Sequence, residues 1–259
     1  MTYIMVAPNG ARRTTNDHHA IPVTDDALIE TAKACFQEGA RGLHAHIRTA
    51  DQRHLLDISR YQALITKLHA KIPHLEVQVT SEAAGVYEVE SQIDLLSKIR
   101  APWVSVAIRE ITRQQNSTQL TTFFTTLLAK TRVQFILYDE ADLVTLVQLI
   151  RKKIIKTPSL EVLYVLGRYS KDQESTPTQL DPFLVFRDGL PFNLQPKREM
   201  ICAFGKGQIP CLLRAASEGF DCRIGFENGI WLSDGSTVAN NSELVRAFID
   251  ELPSVLRPT

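Results

Sequence analysis

The chain has 259 residues, of which 44% are hydrophobic, with 29 Lys plus Arg set against 29 Asp plus Glu. This length favours one large domain over two small ones, and the hydrophobic share is far from the disordered range. A formal charge of zero argues against a protein that coats nucleic acid or an anionic membrane, since both reward a basic excess.

In chain order, short apolar runs alternate with longer amphipathic segments. A strand over 3–7 is followed by a helix over 25–38, which Thr24 can cap and Gly39 stops. Strand 42–47 and helix 59–70 come next, then strand 76–80 and helix 88–98, and strand 103–108 and helix 118–130. The remaining pairs are strand 133–138 with helix 140–153, 160–166 with 180–187, 199–204 with 209–218, and 222–226 with 242–251. The strands are rich in Val, Ile, Leu and Phe, as parallel strands buried on both faces are. Eight β-α units imply right-handed crossovers and a parallel sheet. The expected fold is α/β: a (β/α)8 TIM barrel forming a single domain over residues 1–259. An open doubly wound sheet would announce a Gly-rich phosphate loop after its first strand. Here that strand runs into Ala-Pro-Asn-Gly-Ala-Arg-Arg, with neither GxGxxG spacing nor a Walker lysine.

Cys35, Cys202, Cys211 and Cys222 lack CxxC spacing, which suits ordinary buried thiols in a reducing cytoplasm. No apolar run approaches 18 residues and the N-terminus lacks a basic n-region, so neither a membrane span nor a signal peptide is expected.

Chemistry in such a barrel sits at the C-terminal ends of the strands. The second strand ends in His44-Ala-His46-Ile-Arg48. Histidines at i and i+2 share a strand face and can converge on a divalent metal such as zinc. The spacing alone fits a pair of satisfied core histidines equally well. The eighth strand ends in Arg223-Ile-Gly-Phe-Glu227-Asn228. Glu227 can add a carboxylate to the two imidazoles and leave coordination positions open, as a catalytic site requires. Arg223 faces inward if Glu227 does, either for catalysis or as a structural ion-pair partner. Thr80, Ser81 and Glu82 end the third strand, and Ser105 lies on the fourth; the hydroxyls of Thr80, Ser81 and Ser105 suit a substrate carboxylate or carbonyl, and Glu82 adds a charge near the mouth. Arg168 and Lys206 follow the sixth and seventh strands and suit either phosphate or a solvated rim. With Arg12, Arg48 and Arg223 they imply a cationic mouth in a neutral protein. His18, His19, His54, His69 and His74 read as surface or loop residues.

The set Ala-Pro-Asn-Gly-Ala, Ile-Pro-Val-Thr and His44-Ala-His46-Ile-Arg48 resembles the β-keto acid cleavage enzymes. So do Ala203-Phe-Gly-Lys206, Arg223-Ile-Gly-Phe-Glu227-Asn228-Gly-Ile-Trp231 and Asn241-Ser-Glu-Leu-Val245. The resemblance runs over nearly the whole chain. It implies a zinc-dependent (β/α)8 barrel, a homotetramer, that exchanges acyl groups between a β-keto acid and acetyl-CoA to give acetoacetate and a new acyl-CoA. It makes His44, His46 and Glu227 the Zn2+ ligands, gives Thr80 and Ser81 the substrate carboxylate, matches Ser105 to the hydroxyl after strand four, and gives Arg223 the opening proton transfer.

Four positions depart from the family pattern. The acidic partner of the arginine is Asn228, whose amide can orient Arg223 but carries no charge. Arg12 stands where characterised members hold a Glu for a cationic substrate group. The strand-five segment Gln134-Phe-Ile136 lacks the acidic residue of amine-recognising relatives, and Glu82 replaces a glycine. Together these expect a substrate that is not cationic, with Arg12 either paired to Glu82 or binding an anionic tail. They also leave open a zinc lyase or hydrolase that works without CoA, or a catalytically silent metal-binding relative. If Arg223 needs an anionic partner, Asn228→Asp is expected to raise the rate.

Overall fold

The computed structural model describes residues 1–168 and 171–258. Eight parallel strands close into a barrel: β1 (Ile4–Val6), β2 (Gly42–Ala45), β5 (Glu76–Val79), β6 (Trp103–Ala107), β7 (Arg132–Leu137), β8 (Glu161–Leu166), β9 (Arg198–Ala203) and β10 (Asp221–Ile224). Each pairs with its sequence neighbours in the barrel, and β1 closes the ring against β10 in the register Met5 to Arg223. The expected TIM barrel is the fold. The eight expected strands are all present; most are shorter at their ends, and β7, β9 and β10 start one residue earlier.

The helices α1 (Asp25–Gln37), α2 (Ile58–Lys71), α3 (Val89–Lys98), α5 (Ser117–Leu128), α6 (Glu140–Arg151), α7 (Asp181–Asp188), α8 (Gln208–Ser217) and α9 (Asn241–Glu251) follow the barrel strands in turn. Their starts are set by local chemistry. The side chains of Thr24, Asp57, Asp139 and Asn240 each accept a hydrogen bond from a backbone N–H of the first turn. Asn116 and Gln119 form a reciprocal capping box that begins α5. No described helix is long and apolar enough to cross a membrane.

Elements outside the eightfold pattern include a hairpin and a single helical turn. A short antiparallel hairpin, β3 (Ile47–Arg48) with β4 (His54–Leu55), rises from the end of β2. A single helical turn, α4 (Ile108–Ile111), follows β6. The hairpin replaces what reads in sequence as loop, and it brings His54 back over the barrel mouth.

Alternation along the strands sorts side chains into two environments. Ile4, Val6, Leu43, Val77, Val104, Phe135, Ile201 and Ile224 join the layer between sheet and helices. Met5, Trp103, Ile136, Leu163, Val165, Met200, Cys202 and Phe204 fill the barrel interior. At the N-terminal end the interior is ionic: Arg132 bonds Glu161 and Glu76, Arg198 bonds Asp221, and Arg198 stacks 3.9 Å over Tyr3. Above that floor lies a layer of amides, Gln78 and Gln134, both fully buried. The layer above it carries the candidate site.

Candidate active site

His44 and His46 sit on and just beyond β2, both about 1% exposed. Their Nε2 atoms are 3.1 Å apart. Glu227 follows β10, and its Oε2 lies 3.8 Å from His44 Nε2 and 3.7 Å from His46 Nε2. The three donor atoms lie within 4.8 Å of one another. Glu227 Oε2 is buried and accepts no hydrogen bond. Its carboxylate is held in place by Gly10, whose φ is +60° and where an added Cβ would come within 2.5 Å of Glu227 Cγ. Only glycine meets both demands.

A buried chain of amides orients His44. Gln78 Oε1 accepts from His44 Nδ1–H at 2.7 Å, Gln78 Nε2 donates to Gln134 Oε1 at 3.0 Å, and Gln134 Nε2 reaches Met200 Sδ at 3.7 Å. With Nδ1 carrying the proton, the His44 Nε2 lone pair faces His46 and Glu227. Burial, then the nearby Arg223 cation, pushes His44 down to about 4. Burial and His44 hold His46 well below the ordinary imidazole range. Two neutral imidazoles and an unpartnered carboxylate oxygen are a donor set that fits zinc.

Arg223 projects from β10 into the same space and is 3% exposed. Its Nη2 donates to Glu227 Oε1 at 3.2 Å and reaches Cys202 Sγ at 3.4 Å, while Nε and Nη1 have no partner. Burial, then Arg223, sets the thiol: burial dominates and raises Cys202 to about 11. Cys202 is thus a neutral neighbour of the guanidinium. Thr80, Ser81, Glu82 and Ser105 line the cavity with His44, Arg223 and Glu227. Ser81 Oγ donates to the Ser105 carbonyl, and Thr80 Oγ1 accepts from the Glu82 N–H. The Ser105 hydroxyl is buried without a partner. Glu82 lies 4.0 Å from His46 Nε2 and 4.0 Å from Arg168. Burial, then Glu227 and Glu110, pushes its carboxyl up to about 7.

Several expectations need correction. Asn228 does not orient Arg223. Its amide is fully buried and neither amide atom has a hydrogen-bond partner. The reason is local: Asn228 N and Gly229 N both bond to the Gly225 carbonyl, a helical turn. Successive side chains there diverge by about 100°, so Glu227 enters the mouth while Asn228 turns away. The anionic partner of Arg223 is Glu227 itself. Arg12 forms no ion pair with Glu82 within 4.0 Å; it stands exposed at the rim of an adjoining small cavity that also holds Arg13, Arg168, Glu82 and Glu227. Arg48 does not contribute to a cationic mouth: it is buried and donates to the carbonyls of Gln52, Asn9 and Arg13, clamping the loop after β1. Lys206 is exposed and lines neither cavity.

Two residues near the site escape a sequence reading. His54, 5% exposed, is held by the Glu82 carbonyl at 2.8 Å with its ring 5.2 Å from that of His46. Burial pushes it down to about 4. No sequence signal marks it, because it depends on the hairpin. Gln78 was legible in principle, since it lies two residues before Thr80 on one strand face.

Comparison with known proteins places the chain in a family. A family model described as beta-keto acid cleavage enzyme matches residues 1–257. The chain is 22% identical over 252 residues to the 3-keto-5-aminohexanoate cleavage enzyme of Acetoanaerobium sticklandii, covering 95% of this chain and 89% of that one. It is 22% identical over 275 residues to the 3,5-dioxohexanoate:acetyl-CoA acetone transferase of Paraburkholderia graminis, covering 94% and 87%. Among solved structures, the ternary complex of ObcA with a C4-CoA adduct and oxalate superposes with a TM-score of 0.71 at 15% identity. That match covers 90% of this chain and spans 63% of ObcA. Phosphoribosyl anthranilate isomerase from Thermotoga maritima superposes at 0.57 with 10% identity, covering 96% of this chain and 98% of that one. These structural likenesses concern the fold. The match over residues 1–257 goes further: the chain belongs to the β-keto acid cleavage enzyme family.

Proposed function

We propose that the protein is a zinc-dependent enzyme that exchanges acyl groups between a β-keto acid and acetyl-CoA. The products are acetoacetate and a new acyl-CoA. In this exchange the carboxymethyl unit of the keto acid leaves its own acyl group and joins the acetyl group, while CoA passes to the acyl group left behind. One carbon–carbon bond breaks and one forms. The observation that carries the reading is the convergence of His44 Nε2, His46 Nε2 and Glu227 Oε2 beside the buried Arg223.

Zinc held by these three side chains supplies Lewis acidity toward the ketone. The protein's own groups supply the rest. The unpartnered Nε and Nη1 of Arg223 are preorganised donors in a space shielded from water, placed to meet negative charge as it develops on the keto acid. The free Ser105 hydroxyl is the available donor for the substrate carboxylate. Thr80 and Ser81 shape that pocket, with Ser81 already committed to the Ser105 carbonyl. Glu82 faces the ligand histidine at 4.0 Å and serves as a polar wall of the metal site. Arg12 and Arg168 lie around the adjoining cavity, which favours a neutral or anionic substrate tail over a cationic one. Assembly as a homotetramer belongs to the same proposal, and light scattering on the purified protein checks it.

The test is incubation with β-keto acids bearing anionic, neutral and cationic tails, with and without acetyl-CoA, followed by detection of acetoacetate. Acetoacetate that forms only with acetyl-CoA supports the reading. Cleavage of a keto acid that proceeds without CoA refutes acyl exchange and favours a zinc lyase or hydrolase.

A further inference from the structure

A two-substrate exchange needs two ways into one reaction centre, and two cavities adjoin the metal-binding one. The first is small and polar, lined by Arg12, Arg13, Arg168 and Gln173, and suits the tail of an acid. The second is a cleft of about 470 Å3 at the C-terminal ends of β7 and β8, roofed by α6 and the start of α7. Its walls are Leu143, Val165, Leu166, Pro182 and Phe183. Tyr138 and Val165 line both the cleft and the metal-binding cavity. Arg168 lines all three spaces. Asp139, which shares Arg109 with Asp142, and the exposed Glu140 stand at the cleft's outer edge, while the walls nearer the metal-binding cavity are apolar.

Two other large grooves lead nowhere chemical. A groove of about 600 Å3 between α3 and α5 and one of about 520 Å3 at the N-terminal end, beside Pro102 and Pro158, share no residue with the site. Ligand pockets of 300–1,000 Å3 with apolar walls and few polar groups suit a mostly apolar, narrow ligand.

We infer that the cleft bounded by Leu143, Pro182 and Phe183 receives the pantetheine arm of the CoA thioester, whose acyl end passes Tyr138 and Val165 to reach the metal. This rests on the acyl-exchange reading and assigns its second substrate to one place. The arm is long, thin and uncharged, with amide groups spaced along a hydrocarbon chain. It matches an apolar cleft continuous with the reaction centre, whereas a short acid with a polar tail matches the arginine-lined cavity. The two substrates then approach from opposite sides of Arg168.

Two variants narrow the cleft in different ways. Leu143→Trp fills its inner wall, and Pro182→Trp fills its rim at an exposed position that the core does not depend on. In both, KM for acetyl-CoA should rise tenfold or more, while KM for the keto acid and the metal content stay unchanged. Calorimetric titration of each variant with acetyl-CoA alone should show the same weakening without any turnover. A rise in KM for the keto acid instead would place the acid's tail in the cleft and overturn the assignment. Unchanged constants for both substrates in folded variants would also overturn it. If the unmodified protein neither binds acetyl-CoA nor forms acetoacetate, the acyl-exchange reading itself fails, and the assignment with it.

Discussion

Gln78→Leu tests whether the buried amides are part of the metal site or only of the core. The side chain is fully buried and makes two hydrogen bonds, accepting from His44 Nδ1–H and donating to Gln134 Oε1. Leucine keeps most of the volume and removes both. His44 then loses the partner that places its proton on Nδ1, and its Nε2 lone pair is available for only part of the time. Loss of such a supporting partner weakens metal affinity by about 10- to 100-fold, which is about 1.4–2.7 kcal/mol. Separately, Gln134 Oε1 is left buried without a donor, at about 1–3 kcal/mol of stability. Competition against a chelator of known affinity reads the first effect, and thermal melting of the metal-free protein reads the second. Nitrogen shifts of the His44 ring should report Nδ1–H in the unmodified protein and a mixture in the variant. Gln78→Glu retains the acceptor and should hold metal more tightly than the leucine variant. Metal affinity within twofold of the unmodified protein, with melting lowered as expected, would show that the amide layer is structural only and refute the reasoning.

Asn228→Asp buries an unpaired carboxylate at a fully buried position that touches neither Arg223 nor the cavity, so it should lower stability by about 3 kcal/mol or more and leave kcat no higher; a faster enzyme would contradict the placement. Arg12→Glu should shift kcat/KM towards β-keto acids with cationic tails, measured as the ratio of rates on cationic and anionic substrates, with metal content unchanged. Glu82 is held up at about 7 by burial and neighbouring carboxylates. A raised carboxyl favours the folded state fully only below its unfolded value of about 4.3, and that contribution is lost as pH rises through 7. Hence Glu82→Gln should be increasingly more stable than the unmodified, metal-free protein between pH 4.5 and 7, by at most about 4 kcal/mol, and the gap should stay level at higher pH. A gap that does not change with pH would show Glu82 ionised throughout.

The barrel was legible because its signal is repeated. Eight apolar runs at regular spacing, each followed by an amphipathic segment, the first of these capped by Thr24, specify strands and helices independently, and together they leave few topologies. The histidine pair was legible for the same reason: the period of two along β2, carried one residue past its end, puts His44 and His46 on one face. Asn228 was misplaced because the chain leaves β10 at Gly225 and enters a helical turn, so strand-like adjacency to Glu227 no longer describes its direction. Arg48 and His54 depend on the hairpin, a contact between residues whose strands are two residues long, too short to leave a periodic trace. The pairing of Gln78 with His44 joins two neighbouring strands, and its register follows only once the barrel is closed.

Metal content of the purified protein tests the central claim most directly. Elemental analysis should find one zinc per chain in the unmodified protein and none in His46→Ala, because removing one of three donors leaves His44 and Glu227 unable to hold the ion alone. Stoichiometric zinc retained by folded His46→Ala, or a metal-free unmodified protein that no added zinc saturates, would contradict the account.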